Sequence, residues 1–198
     1  MMVLKKETTD MHLKKWFDKG MTTQEYIESM QVNQESLLSI FHGYQLSQEA
    51  KQVTQASVGK GIKAVVLTAD WCGDAMVNIP VFLKLTQNSL MECRFLIRDE
   101  NLELMDQYLT NGRARSIPII LFMDKNGEEL AKWGPRAQEI EEVVSSYKTS
   151  LPEKDAPTYE KEFKETFLPK MHQLFKEKST WTAVEKDLLT VFKTFPSL

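Results

Sequence analysis

A chain of 198 residues has room for one domain, or one domain with sizeable additions. Its 25 Lys and Arg against 28 Asp and Glu leave a formal charge of −3, too close to balance to point to nucleic acid or an anionic membrane as partner. The longest apolar runs, such as AVVL at 64–67 and IPIILFM at 117–123, fall far short of the roughly 20 residues a bilayer crossing needs, so no membrane span is expected.

The chain opens MMVLKKETTDMHLKK, which is basic but lacks a following apolar stretch, so no secretory signal is expected. Two cysteines far apart do not make a disulfide framework, and a reducing, cytoplasmic location follows as the expectation. Residues 1–60 read as short helices. Gly20 can end the first, Thr22 with Glu25 makes a capping box for the second, Asn33 can cap a third and Ser47 a fourth.

Residues 61–149 change character. Ile62 to Thr68 is a β-rich apolar run of the kind found in a central parallel strand. A helix is predicted from about Gly73 to Asn88, a second strand over Arg94 to Arg98, and a helix over Asn101 to Thr110 with Gly112 as its stop signal. A third strand spans Ile117 to Met123. Asp124-Lys125-Asn126-Gly127 carries the Asn-Gly pair of a hairpin turn, and Glu128 to Trp133 is the return strand. Gly134 and Pro135 break it, and Arg136 to Tyr147 is the last helix of this part. The order β-α-β-α-β-β-α predicts an α/β fold, a mixed sheet flanked by helices. Residues 150–198 are helical again, with aromatic stripes suited to packing on the central part or to forming a homodimer, and Pro169 should kink the first of these helices.

The chemistry concentrates at Trp71-Cys72-Gly73-Asp74-Ala75. A cysteine that follows a buried strand and opens a helix meets free backbone N–H groups and the positive end of the helix dipole, which favour a thiolate. Asp70 and Asp74 flank it and oppose that effect. Cys93 starts a strand parallel to the one Cys72 follows. The two thiols should therefore lie at opposite edges of the sheet, beyond the roughly 7 Å Cα limit of a disulfide, with Cys93 a buried structural residue. His12, His42 and His172 share no ligand spacing with the cysteines, so no metal is expected. VGKG at 58–61 lacks the remainder of a phosphate loop.

These residues resemble the thioredoxin family. Trp71-Cys72-Gly73 follows a strand and opens a helix, Pro80 lies eight residues after Cys72, Ser116-Ile117-Pro118-Ile119 matches the family's cis-proline segment, and Lys132-Trp133-Gly134 closes the final hairpin. The resemblance covers about 60–149, and the helical ends are similar to those of a bacterial thioredoxin-like subfamily. It implies a thioredoxin-like fold with Cys72 as nucleophile and with Trp71, Gly73, Asp74, Ile117 and Pro118 shaping a substrate groove. It also implies that the cis-proline segment packs on Cys72, so that Arg113 or Arg115 just before it could offset Asp70 and Asp74. Two departures stand out. Ala75 occupies the place of the second, resolving cysteine, and Val66 the place of a buried acid that serves that cysteine. One cysteine can attack a disulfide, but the mixed disulfide must then wait for an external thiol. The expectation is a monothiol thiol-disulfide oxidoreductase acting on protein or low-molecular-weight thiols and disulfides, with the external thiol as co-substrate and no other cofactor. The alternative is a redox-inactive binding or adaptor module that uses the same groove.

Overall fold

The computed structural model describes residues 12–195, and the reading of residues 1–11 lies outside them. Four short helices come first: α1 (Lys14–Lys19), α2 (Thr23–Ser29), α3 (Gln34–Gly43) and α4 (Gln48–Gln55). Gly20 ends α1, the Thr22–Glu25 capping box opens α2, and the Ser47 hydroxyl accepts from Ala50 N to open α4. Asn33 departs from expectation. It stands at the start of α3 with φ 60° and makes no side-chain cap. Its side-chain amide instead donates to the Asp70 carbonyl at 2.8 Å, tying the segment to the loop before Cys72. This first part is also not wholly helical. Met21 bridges antiparallel to Phe95, covering the outer edge of the sheet with two backbone hydrogen bonds of 2.9 and 2.8 Å.

The sheet follows from the predicted runs. Strands β1 (Lys63–Thr68), β2 (Glu92–Ile97), β3 (Ile119–Met123) and β4 (Glu129–Trp133) lie in the order β2-β1-β3-β4. The β1–β2 pair is parallel, while β1–β3 and β3–β4 are antiparallel. Helix α5 (Gly73–Ser89), with Pro80 inside it, connects β1 to β2. The helix expected over Asn101 to Thr110 shrinks to α6 (Leu102–Met105), which a 3-10 turn (Arg98–Glu100) precedes. Its remainder is drawn into a tight turn, where Thr110 and Ala114 exchange backbone hydrogen bonds across Asn111 and Gly112, both at positive φ. Helix α7 (Gln138–Thr149) ends the central part.

The final residues give α8 (Tyr159–Glu162), a π-helical turn (Phe163–Phe167), α9 (Leu168–Lys176) and α10 (Lys178–Phe192). The π turn sits directly before Pro169, whose missing N–H and ring disturb the regular ladder there. These helices complete the core. Phe192 and Phe195 pack on Phe122 of β3 with ring centroids 5.7 and 5.2 Å away, and Phe82 of α5 closes the cluster at 6.1 Å. Each such ring contributes roughly 1.5–3 kcal/mol through burial. The Trp133 indole donates to Asp187 at 2.6 Å, and Glu185, itself buried, accepts from Ser47 N. With α3 and α4 on one side and α9 and α10 on another, α5 is buried nearly all round. Among the described residues no helix is long and apolar enough to cross a membrane.

Candidate active site

Cys72 stands at the N-terminal cap of α5, in extended backbone (φ −80°, ψ 117°), and its carbonyl accepts from Met76 N to start the helix. Its thiol donates to the Ile117 carbonyl at 3.4 Å. The peptide between Ile117 and Pro118 is cis, as is that between Gly134 and Pro135. The loop after β4 presses on the first of these. A Cβ at Gly134 would sit 2.2 Å from the Pro118 carbonyl oxygen, at φ +116°, so only glycine serves there. Asn78 of α5 donates to the Pro135 carbonyl at 2.9 Å and anchors the loop to the active-site helix. Trp71 is 51% exposed, with the Arg98 guanidinium 4.7 Å from its ring centre. Phe175 of α9 lies over Gly73, 3.2 Å from where a Cβ would be. Cys72 itself is 8% exposed.

A hollow of about 350 Å³ opens beside Cys72, bounded by Trp71, Asp74, Arg98, Arg115, Ile117 and Arg136. Burial pushes the Cys72 thiol up to about 11, and the Asp74 carboxylate pushes in the same direction. The backbone N–H groups of Ala75 and Asp74 and the Arg136 guanidinium pull it down without prevailing. Arg136 grips Asp74 through two bonds of 2.6 Å, both side chains being about 15% exposed, and donates also to Glu141 at 2.5 Å. Burial raises the Asp74 carboxyl and Arg136 opposes that rise. Acceptance by both of its oxygens describes a carboxylate.

The structure thus gathers Trp71, Cys72, Asp74 and Ile117 around one hollow, whereas Gly73 and Pro118, next to them in the chain, are not among its walls. The electrostatics expected there need three corrections. The helix start does not lower the thiol below its ordinary range, because burial and Asp74 outweigh it. The Asp70 carboxylate faces away, accepting from Gln31 N and Val32 N at 2.8 and 3.1 Å, so Asp74 is the acid that bears on Cys72. The cation that offsets it is Arg136 rather than Arg113 or Arg115. Arg113 is exposed, and Arg115 forms a bidentate pair with Asp106 at 2.6 and 2.8 Å. Arg98, Arg136 and Phe175 were not singled out from the sequence. For Arg136, the signal available was a basic residue directly after the Gly-Pro break that faces the cis-proline segment.

Both cysteines are free thiols. In the β1–β2 register Cys93 is level with Ala64, whereas Cys72 lies beyond Thr68, so they sit toward opposite ends of the strand pair. Four residues of strand alone span roughly 13 Å. Cys93 is buried, within 3.4 Å of the Thr23 hydroxyl, and burial raises its thiol too. Val66 is fully buried between Phe95 and Ile120, and Ala75 is 1% exposed. Among the described residues no group of His, Cys, Asp or Glu is arranged to hold a metal ion.

A strand leading to a cysteine at a helix start, opposite a cis proline in a mixed sheet, defines a protein of the thioredoxin-fold class. The thioredoxin family model matches residues 20–149, and the chain belongs to that family. The match begins at Gly20, so α2 to α4 fall inside the matched region, which reaches well before the expected start near residue 60. Among solved structures, the chain is similar to a protein of unknown function from Pseudomonas aeruginosa, with 13% identity and TM-score 0.66, covering 91% of this chain and 96% of that one. An HIV epitope-scaffold is similar at 13% identity and TM-score 0.63, covering 92% and 98%. Fasciola hepatica thioredoxin matches at 19% identity and TM-score 0.32, covering 48% and 88%. No curated protein matches the sequence.

Proposed function

We propose that this member of the thioredoxin family is a monothiol thiol-disulfide exchange protein with Cys72 as its nucleophile, working where an external thiol is abundant, as in a reducing cytoplasm. One observation carries the reading. Cys72 opens α5 beside a hollow and against the Ile117–Pro118 edge, while Ala75 stands one turn on and Cys93 lies toward the far end of the sheet. In the exchange, Cys72 Sγ gives up its proton to solvent and attacks one sulfur of a disulfide. A new S–S bond forms to Cys72, the old one breaks, and the departing thiolate takes up a proton. A second, external thiol then attacks the Cys72 adduct, restoring the Cys72 thiol and carrying the cap away as a new disulfide. No net oxidant is needed.

A binding module with an incidental cysteine is the second reading, and the thiol held at about 11 favours it. Magnitudes decide between the two. A thiol two units above its ordinary 9 has about 100-fold less thiolate at neutral pH, but thiolate nucleophilicity rises with pKa (Brønsted slope about 0.4–0.5) and recovers about six- to tenfold of that. The net delay is about tenfold, which slows exchange without abolishing it. The test is turnover of a peptide–small-thiol mixed disulfide with excess external thiol at pH 8. The protein should accelerate release over the thiol alone, and Cys72→Ser should remove all of the acceleration. No acceleration by the folded protein would leave the binding module as the better reading.

A further inference from the structure

The walls of the hollow beside Cys72 carry three guanidinium groups, Arg98, Arg115 and Arg136, and one carboxylate, Asp74. The other acids that pair with these arginines, Asp99, Asp106 and Glu141, lie outside those walls and are about half exposed. Arg136 is committed to Asp74 and Glu141. The other two each pair with one acid. Arg98 binds Asp99 through Nε and Nη2 at 3.0 and 2.7 Å and lies over the exposed Trp71 ring, and its Nη1 donates to the Arg115 carbonyl at 3.1 Å, which joins the two arginines at the mouth of the hollow. Arg115 binds Asp106 through Nε and Nη2, so its Nη1 has no protein partner among the described residues, and the side chain is 46% exposed. A guanidinium presents five N–H donors in a fixed fork suited to carboxylates. The hollow, at about 350 Å³, is at the small end of the range for small-molecule sites.

We infer that the hollow selects low-molecular-weight thiols and disulfides that bear carboxylates, with Arg98 and Arg115 receiving the carboxylate while the sulfur reaches Cys72. The inference rests on the exchange chemistry proposed above and adds its substrate class. Trp71 supplies an apolar face for the carbon chain between the two ends. Exposed ion pairs are each worth up to about 1 kcal/mol, so the preference should be severalfold in rate rather than absolute, and salt should weaken it.

The experiment compares three symmetrical disulfides: 3,3′-dithiodipropionate with two carboxylates, 2-hydroxyethyl disulfide with no charge, and cystamine with two ammonium groups. The rate of Cys72 adduct formation is followed by mass spectrometry. Each rate is divided by that of the same disulfide with free mercaptoethanol, which removes leaving-group differences. The expected order is dithiodipropionate, then hydroxyethyl disulfide, then cystamine, with roughly fivefold between the first two. In Arg98→Gln/Arg115→Gln the order should collapse, read as the ratios among the three normalised rates within that variant. Equal normalised rates in the unaltered protein, or an order untouched by the double substitution, would overturn the inference while leaving the exchange reading intact. Absence of any Cys72 adduct from all three would instead overturn the exchange reading, and the inference with it.

Discussion

The ends of the β1–β2 pair hold one cysteine each, and they make a natural comparison. Cys72 lies past the C-terminal end of β1 and Cys93 near the start of β2; both are buried, and burial raises both thiols. The hollow beside Cys93 is the larger, about 840 Å³ against about 350 Å³, with Ile27, Leu38, Phe41 and Leu83 among its walls. What separates the two is what faces the sulfur. Cys93 meets the Thr23 hydroxyl at 3.4 Å and Thr86, and Arg94 and Glu92 push its thiol in opposite directions from within its own strand. Cys72 is also acted on by an opposing acid and base, Asp74 and Arg136, but it alone meets helix-start N–H groups and the peptide edge before a cis proline. Cavity size alone points to the Cys93 end of the sheet. Helix-start N–H groups, which Cys93 lacks, are what favour the Cys72 end in the reading proposed above.

The contrast can be sharpened by giving the Cys72 end what it lacks. Ala75→Cys should create a 72–75 disulfide under mild oxidation, because residues three apart at a helix start are neighbours. It should also produce disulfide reductase activity from none, measured by insulin precipitation. The activity should be slow beside an ordinary dithiol protein, since Val66 offers no proton transfer and such help is worth about 10²- to 10⁴-fold. The same change beside Cys93 has no helix start to use. If the 72–75 disulfide forms but nothing is reduced, the groove does not accept extended protein substrates.

A second way to break the contrast is to remove the cation. Arg136→Gln leaves Asp74 buried without its partner and should lower stability by about 3 kcal/mol, read from the urea midpoint at pH 7. The sign with pH follows from the carboxyl, which burial raises. Relative to the unaltered protein, the deficit should be smallest below the ordinary aspartate value of about 4, where the carboxyl is protonated folded and unfolded, and should grow as pH rises through the raised folded value. A deficit independent of pH would mean that Arg136 contributes packing alone.

The smallest effect comes from removing the acid. Asp74→Asn takes away a charge that holds the Cys72 thiol up and should speed its alkylation at pH 7.5 about threefold, assuming a one-unit fall in pKa. Cys93 in the same molecules should keep its rate. An unchanged Cys72 rate would assign its raised thiol to burial alone.

Much of this organisation was legible in the sequence. The apolar run Ile62 to Thr68, the Asn-Gly hairpin and the helix from Gly73 are local patterns, and they placed the sheet, α5 and Cys72 within a few residues. The Ser116 to Ile119 segment marked the edge that faces the thiol. The unread features depend on contacts across the chain. Asn33 abandons its cap because the Asp70 carbonyl is within reach only after folding. Arg136 meets Asp74 across 62 residues, and Phe175 covers Gly73 from the far end of the chain. Burial of Cys72, which decides the direction of its thiol, is a product of that packing and has no signature in WCGDA.

The most direct test of the account is brief exposure of the folded protein to a neutral small disulfide, followed by quenching and site-resolved mass spectrometry of both cysteines. The account predicts adduct on Cys72 ahead of Cys93, no bond between the two, and complete discharge of the Cys72 adduct on adding an external thiol. A disulfide joining Cys72 to Cys93, or adduct on Cys93 with none on Cys72, would contradict it.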